Sequence, residues 1–418
     1  MKRVFLILGL PFLLFAGSYK VVIRFDEEVW LPSALSSFQI SDWQEIAGEP
    51  VYKVTIQFNG TRDQLNQELR KVENVLAIEQ NQSVILVGHE DAARIDQRPI
   101  MILDDSVIDQ RPIMILDEDE LGDVAPLYMQ KFLYDIRAQE CWGYTQGRYV
   151  TVAVLDTGVD IHHEFLWDSV LPYGYDFVDD DDDPSEERVG LDSNGNGLFD
   201  EGWGHGSHVA GIIKMVAPRV RILPIRVVDS DGQAEIFNII QGIQYAIASG
   251  ADIINLSLSI PEPSDLLDDW LDLAKFWGVT VVTSAGNENT FELDFPADKA
   301  SVLTVGSVTD DFHKSSFSNF SKYVDVTAPG EAIVSCLPGG GYVARSGTSM
   351  TAPIGSGAVA LIFELVPGSS TRYFNGRIKN NAFSIDDLNP GYEGRIGHGL
   401  IDVWNAITVY YQPYPEDD

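Results

Sequence analysis

From about residue 125 onward, short unbroken apolar runs alternate with stretches of helical spacing, and this alternation limits the fold of the 418-residue chain more than any other feature. The runs are VTVAVLD (150–156), VRILPIRVV (220–228), ADIINLSL (251–258), VTVVTSAG (279–286) and SVLTVGSV (301–308). Between them GSHVAGIIK (206–214) and IFNIIQGIQYAIASG (236–250) read as helices. A strand with one wet face alternates polar and apolar residues, whereas an unbroken apolar run is covered on both faces. Strands of that kind joined through helices predict an α/β fold with a doubly wound, mostly parallel sheet. Ligands and chemistry in such sheets gather at the carboxyl ends of the strands.

Several chemically useful residues stand at those ends. Asp156 closes the first run, Asn287 follows VTVVTSAG, and Ser349 opens SMTAPIGSGAVALIFEL, which reads as a helix. His205 sits between Gly204 and Gly206 at the head of another helical stretch. Singly, each has an ordinary explanation as a turn former or a structural side chain. Together they make a nucleophile with its base. A serine hydroxyl needs an imidazole to take its proton, and the imidazole needs a carboxylate to set its tautomer. A tetrahedral intermediate needs donors for its oxyanion, which the Asn287 amide and the Ser349 N–H at a helix start can supply.

VLDTGVD, HGSHVAG, NLSL, SAGN and GTSMTAP, in this order, resemble the signature segments of the subtilisin-like serine proteases. The resemblance covers about residues 125 to 410, including GHGLIDVWNA near the end. It implies Asp156, His205 and Ser349 as catalytic triad, Asn287 as oxyanion donor, and secreted endopeptidase activity on polypeptide substrates. It further implies that Gly232-Gln233-Ala234 and Ser257-Leu258-Ser259 pair with an extended substrate, with Gly286 also at the substrate. Exposed strand edges bind peptides in this way. Asp294 falls near the base of the pocket for the residue preceding the scissile bond, where it would favour Lys or Arg; a solvent-facing turn is the alternative. Departures from the family pattern are Ser207, Ser259 and the run Thr351-Ala352-Pro353-Ile354. A silent binding protein of the same fold is the competing reading, although none of the four chemical residues is lost.

The front of the chain reads as a precursor. MKRVFLILGLPFLLFAGS (1–18) has the charged start, apolar core and small-residue end of a secretory signal. No later segment reads as long and apolar enough to cross a membrane, so no stable membrane anchor is expected. Residues 19–87 carry strand, helix and strand patterns, with Thr61 as a helix cap. They resemble the family's pro-domain, a small α+β, ferredoxin-like chaperone and inhibitor of its own enzyme. Residues 88–124 form an acidic linker in which IDQRPIMILD occurs twice, at 95–104 and 108–117. The catalytic domain is expected at 125–418, with the mature start between Asp104 and Pro126.

The net charge of −35 makes nucleic acid and anionic membrane surfaces poor partners, and the enzyme is expected to act as a monomer. Cys141 and Cys336 are the only cysteines; two separate buried thiols are expected, although export permits a disulfide. Just before His205, DSNGNGLFDEGW spaces Asp192, Asn194, Asn196, Leu198 and Asp200 as positions one, three, five, seven and nine of a calcium loop, with Gly197 at six. Position twelve is Trp203, so Glu201 or the run Asp179–Asp183 would have to complete the shell. The expectation is structural calcium; a solvated acidic loop is the alternative.

Overall fold

The computed structural model describes residues 17–86 and 122–408. Most of the signal segment, nearly all of the duplicated linker and the last ten residues lie outside the described residues. The chain divides into two compact units, Met1–Gln82 and Ser83–Asp418.

In the smaller unit, strands β1 (Gly17–Phe25), β2 (Gln39–Glu45), β3 (Val51–Phe58) and β4 (Val75–Gln80) form an antiparallel sheet of order β2-β3-β1-β4. Helices α1 (Leu31–Ala34) and α2 (Arg62–Leu69) connect them in β-α-β-β-α-β order, the ferredoxin-like arrangement. Thr61 closes a capping box with Gln64 at the start of α2, which satisfies two otherwise orphaned donors. Alternate residues Val21, Ile23 and Phe25 of β1 and Val54 and Ile56 of β3 face Leu65 and Leu69 of α2 in one core. That is what a strand period of two produces. Gly17 and Ser18, read from the sequence as the end of the signal, are paired in β1 opposite Phe58 and Gln57.

The larger unit is built on a seven-stranded parallel sheet of order β14-β13-β12-β10-β6-β8-β7. Its strands are β6 (Thr151–Asp156), β7 (Tyr175–Asp176), β8 (Arg221–Arg226), β10 (Ile253–Leu256), β12 (Thr280–Ser284), β13 (Val302–Val308) and β14 (Val326–Pro329). The five apolar runs supply β6, β8, β10, β12 and β13, and β12 and β13 are buried along their whole length. After the short helices α3 (Lys131–Asp135) and α4 (Ala138–Cys141) come α5 (His205–Val216), α6 (Ile236–Ala248), α7 (Asp265–Phe276), α8 (Thr348–Leu365), α9 (Thr371–Asn380) and α10 (Val403–Thr408). Val152 and Val154 of β6 share a core with α5 and α8. Leu155, on the opposite face, meets α6 at Gly242. The sheet is therefore covered on both sides, as its apolar strands require. At the crossing of α5 and α8, a Cβ on Gly357 would stand 2.6 Å from the Val216 Cβ, so only glycine lets the two backbones come so close.

Helix α8 is long and apolar enough to cross a membrane, contrary to the sequence-based expectation, but 83% of its apolar window is buried inside the protein. It is a core helix. Cys141 and Cys336 are both free and buried, and burial raises both thiols well above the usual range. A second small sheet joins β5 (Ser83–Leu86), β9 (Gln233–Glu235) and β11 (Leu258–Ser259), with β5 in the middle. Ser83–Leu86 is thus grouped with the larger unit. The hairpin β15 (Ile333–Leu337) and β16 (Gly341–Arg345) leads into Ser349.

Candidate active site

Asp156 is the last residue of β6, and His205 is the first of α5. Both are almost fully buried. His205 Nδ1 lies 2.7 Å from Asp156 Oδ1, and a carboxylate acceptor there requires the proton on Nδ1. The same oxygen accepts the Thr157 N–H at 2.8 Å, so the aspartate is held from its own chain as well. Two glycines make the approach possible. Gly204 has φ 83°, a left-handed turn into the helix. On Gly206 a Cβ would stand 2.0 Å from the Gly158 carbonyl oxygen. Gly206 thus admits the turn after Asp156, and Gly204 supplies the left-handed turn into the helix.

Ser349 stands in the first turn of α8, whose leading N–H groups have no partner within the helix. Its Oγ lies 3.4 Å from the Ser257 carbonyl oxygen. Asn287 Oδ1 accepts the Thr348 N–H at 2.9 Å and the Thr348 hydroxyl at 3.0 Å. These bonds orient the amide, leaving Nδ2 buried without a hydrogen-bond partner. An unpartnered buried donor beside a serine at a helix start could be satisfied by an oxyanion formed there.

Gly286 has φ 99°, and a Cβ there would meet Asn319 Nδ2 at 2.3 Å. Asn319 in turn donates its backbone N–H to the Gly286 carbonyl and accepts the Glu288 and Thr290 N–H groups through Oδ1. It shapes the loop carrying Asn287, a role that sequence reasoning missed because Asn319 is distant in the chain.

Gln233 and Ala234 lie in β9 and Leu258 and Ser259 in β11, with Gly232 and Ser257 just before them. The two strands do not pair with each other; β5 runs antiparallel to both. Ile85 is opposite Gln233 on one side and Ser259 on the other, and Leu86 is opposite Leu258. Asp294 is half-buried and within hydrogen-bonding reach of the Ser259 hydroxyl. Burial, followed by repulsion from Glu288, pushes its carboxyl above the usual range.

The acidic loop departs from expectation in part. Asp192, Asn194 and Asn196 accept the N–H groups of Gly197, Asn196 and Leu198, which curls the loop around them. The Asn194 and Asn196 amides both turn to Glu201, and Asp192 Oδ1 is buried without a partner. Asp200 has other partners. Its carboxylate accepts from Gly190, Leu191 and Ser230, which hold its pKa down although burial alone would raise it. Asp200 thus braces Gly190 and Leu191. The run Asp179–Asp183 is occupied elsewhere too: Asp179 pairs with Arg226 and Asp180 accepts from the Tyr175 hydroxyl. Among the described residues no group of three or more His, Cys, Asp or Glu side chains is placed to hold a metal.

The Peptidase_S8, or subtilase, family model matches residues 147–399. An intracellular serine protease of Paenibacillus polymyxa is 40% identical over 251 residues, 57% of this chain and 73% of that protein. Subtilisin E of Bacillus subtilis (strain 168) is 35% identical over 301 residues, 68% of this chain and 73% of its own. Among solved structures, a cold adapted subtilisin-like serine proteinase is 32% identical with TM-score 0.53, covering 62% of this chain and 89% of that one. Fervidolysin of Fervidobacterium pennivorans covers 96% of this chain and 62% of its own, with TM-score 0.71. At 23% identity, that likeness speaks to the fold alone.

Proposed function

This chain belongs to the subtilase family and is a subtilisin-like serine endopeptidase, and from that premise we propose that it is a secreted, self-processing precursor cutting peptides with Asp156, His205 and Ser349. Ser349 Oγ attacks the scissile carbonyl while its proton passes to His205 Nε2, and Asp156 stabilises the imidazolium. The Asn287 amide and the Ser349 N–H receive the oxyanion. As the intermediate collapses, His205 returns the proton to the departing amine, leaving an acyl-enzyme. Water, deprotonated by His205, then attacks the ester, and Ser349 leaves with the proton.

The observation that carries the reading is the place of β5. An extended segment of this same chain lies antiparallel between β9 and β11, the strands on which a substrate would be added. Residues 19–87 accordingly act as an intramolecular inhibitor whose last strand fills the cleft until it is cut away. Export rests on Met1–Ser18. One relative is named an intracellular serine protease, so the location is to be read from protein recovered in the medium. In the acidic loop, Asp192, Asn194, Asn196, the Leu198 carbonyl and Glu201 would hold a hard cation, and calcium would supply the charge that draws these oxygens together.

The direct test is casein hydrolysis by the purified protein, which a serine-directed phosphonyl fluoride is expected to abolish. Hydrolysis that survives both the reagent and Ser349→Ala would overturn the assignment.

A further inference from the structure

The carboxyl group of Glu186 belongs to none of the roles above, yet it lies between the two halves of the acid–base pair. Part of the residue meets solvent, but the carboxyl group itself is enclosed. Oε1 accepts the N–H groups of Gly204 and Gly206, each at 3.1 Å, and the Thr157 hydroxyl. Oε2 accepts the Ser207 hydroxyl at 2.6 Å. Thr157 directly follows Asp156, while Gly204 and Gly206 flank His205. One carboxylate therefore ties the end of β6 to the start of α5, and the Gly206 N–H bond to Thr157 Oγ1 at 3.0 Å closes the ring.

We propose that Glu186 is a positioning residue for peptide hydrolysis, fixing the Asp156–His205 geometry by holding the chain on both sides of that pair. All four partners of its carboxylate are donors, so the ionised form satisfies them best. Two charged side chains face it: Asp156 from β6, and Arg345 from the end of β16. Arg345 also donates to the Trp203 carbonyl, just ahead of Gly204, at 3.0 Å. Burial first, and Asp156 after it, raise the Glu186 pKa to about 7, against the pull of Ser207, Thr157 and Arg345. Protonation of Glu186 near neutral pH thus weakens the ring. A small misplacement of catalytic groups costs on the order of 10²-fold in rate.

The inference rests on the triad assignment, and the experiment separates the two. Glu186→Gln keeps the size of the side chain and removes its charge. Its kcat on a peptide substrate is expected to fall roughly 10- to 100-fold with KM unchanged. The acid limb of kcat should lose the protonation step that Glu186 contributes. Ser207→Ala, which removes one partner at lower risk to folding, should lower kcat in the same direction. If Ser349→Ala is inactive while Glu186→Gln keeps the wild-type kcat and limb slope, the positioning role is wrong and the triad stands. If Ser349→Ala is active, the triad assignment itself fails. A fall in melting temperature with unchanged kcat would make Glu186 merely structural.

Discussion

Asn287 takes both the N–H and the hydroxyl of Thr348 on its side-chain oxygen, at 2.9 and 3.0 Å. The residue immediately before Ser349 thereby sets the orientation of the amide. The two bonds leave Nδ2 facing a buried space with no acceptor, a cost of about 1–3 kcal/mol for an unsatisfied polar group in the resting protein. An oxyanion formed at Ser349 would remove that cost in the transition state alone.

Asn287→Ala is therefore expected to fold normally, keep its KM and lose kcat by roughly 10²–10³, the loss known for the side-chain oxyanion donor of subtilisin itself. Thr348→Val should lose part of the same rate, since it removes one of the two bonds that orient the amide. Steady-state kinetics on one peptide substrate check both, and an undiminished rate for Asn287→Ala would remove it from the site.

Ser349→Ala is expected to accumulate as unprocessed precursor. In the wild type, β5 sets Leu86 opposite Leu258, and the Ser257 carbonyl one residue earlier lies against Ser349. The bond presented first is thus within a residue or two of Leu86 on its carboxyl side. Mass spectrometry of the released fragment reads this directly. A fragment ending at or beyond Asp104 would contradict it; a mature start between Asp104 and Pro126 then requires a second cut.

Asp294, beside Ser259 and repelled by Glu288, is expected to favour Lys or Arg before the scissile bond. Its pKa is raised, so the sign follows: the preference is full above that raised pKa and fades as pH falls through it. Asp294→Asn should abolish the preference at every pH. Cleavage of a peptide library at two pH values measures this, and equal use of basic and neutral residues at neutral pH would refute it.

Calcium chelation is expected to lower the melting temperature, because an ion bound only by the folded state stabilises it by mass action. Asp192→Ala should remove the response and Asp200→Ala should not, since Asp200 braces Gly190 and Leu191 instead. Differential scanning calorimetry with and without chelator decides the matter. A wild-type response in Asp192→Ala would exclude the loop as the site.

The parallel sheet and the positions of Asp156, His205, Ser349 and Asn287 were legible in the chain, because local pattern decides them. Apolar runs covered on both faces have one architecture open to them, and a strand end or helix start in that architecture is a fixed place. The close approach around His205 was also legible, since Gly204 and Gly206 announce backbone that tolerates no side chain. What tertiary structure alone decided are contacts between segments whose sequence is locally unremarkable. Glu186 sits in an acidic stretch that reads as solvated surface, yet it closes a ring around the acid–base pair. Asp200 matches a calcium pattern by spacing, yet nearby backbone donors and Ser230 claim its lone pairs. Ser83–Leu86 continues directly from the small sheet in the chain, yet its hydrogen bonds go to β9 and β11. The physical reason is common to all three. A hydrogen bond is satisfied by whichever partner folding brings within reach, and for these groups that partner comes from a separate segment whose place no local spacing records.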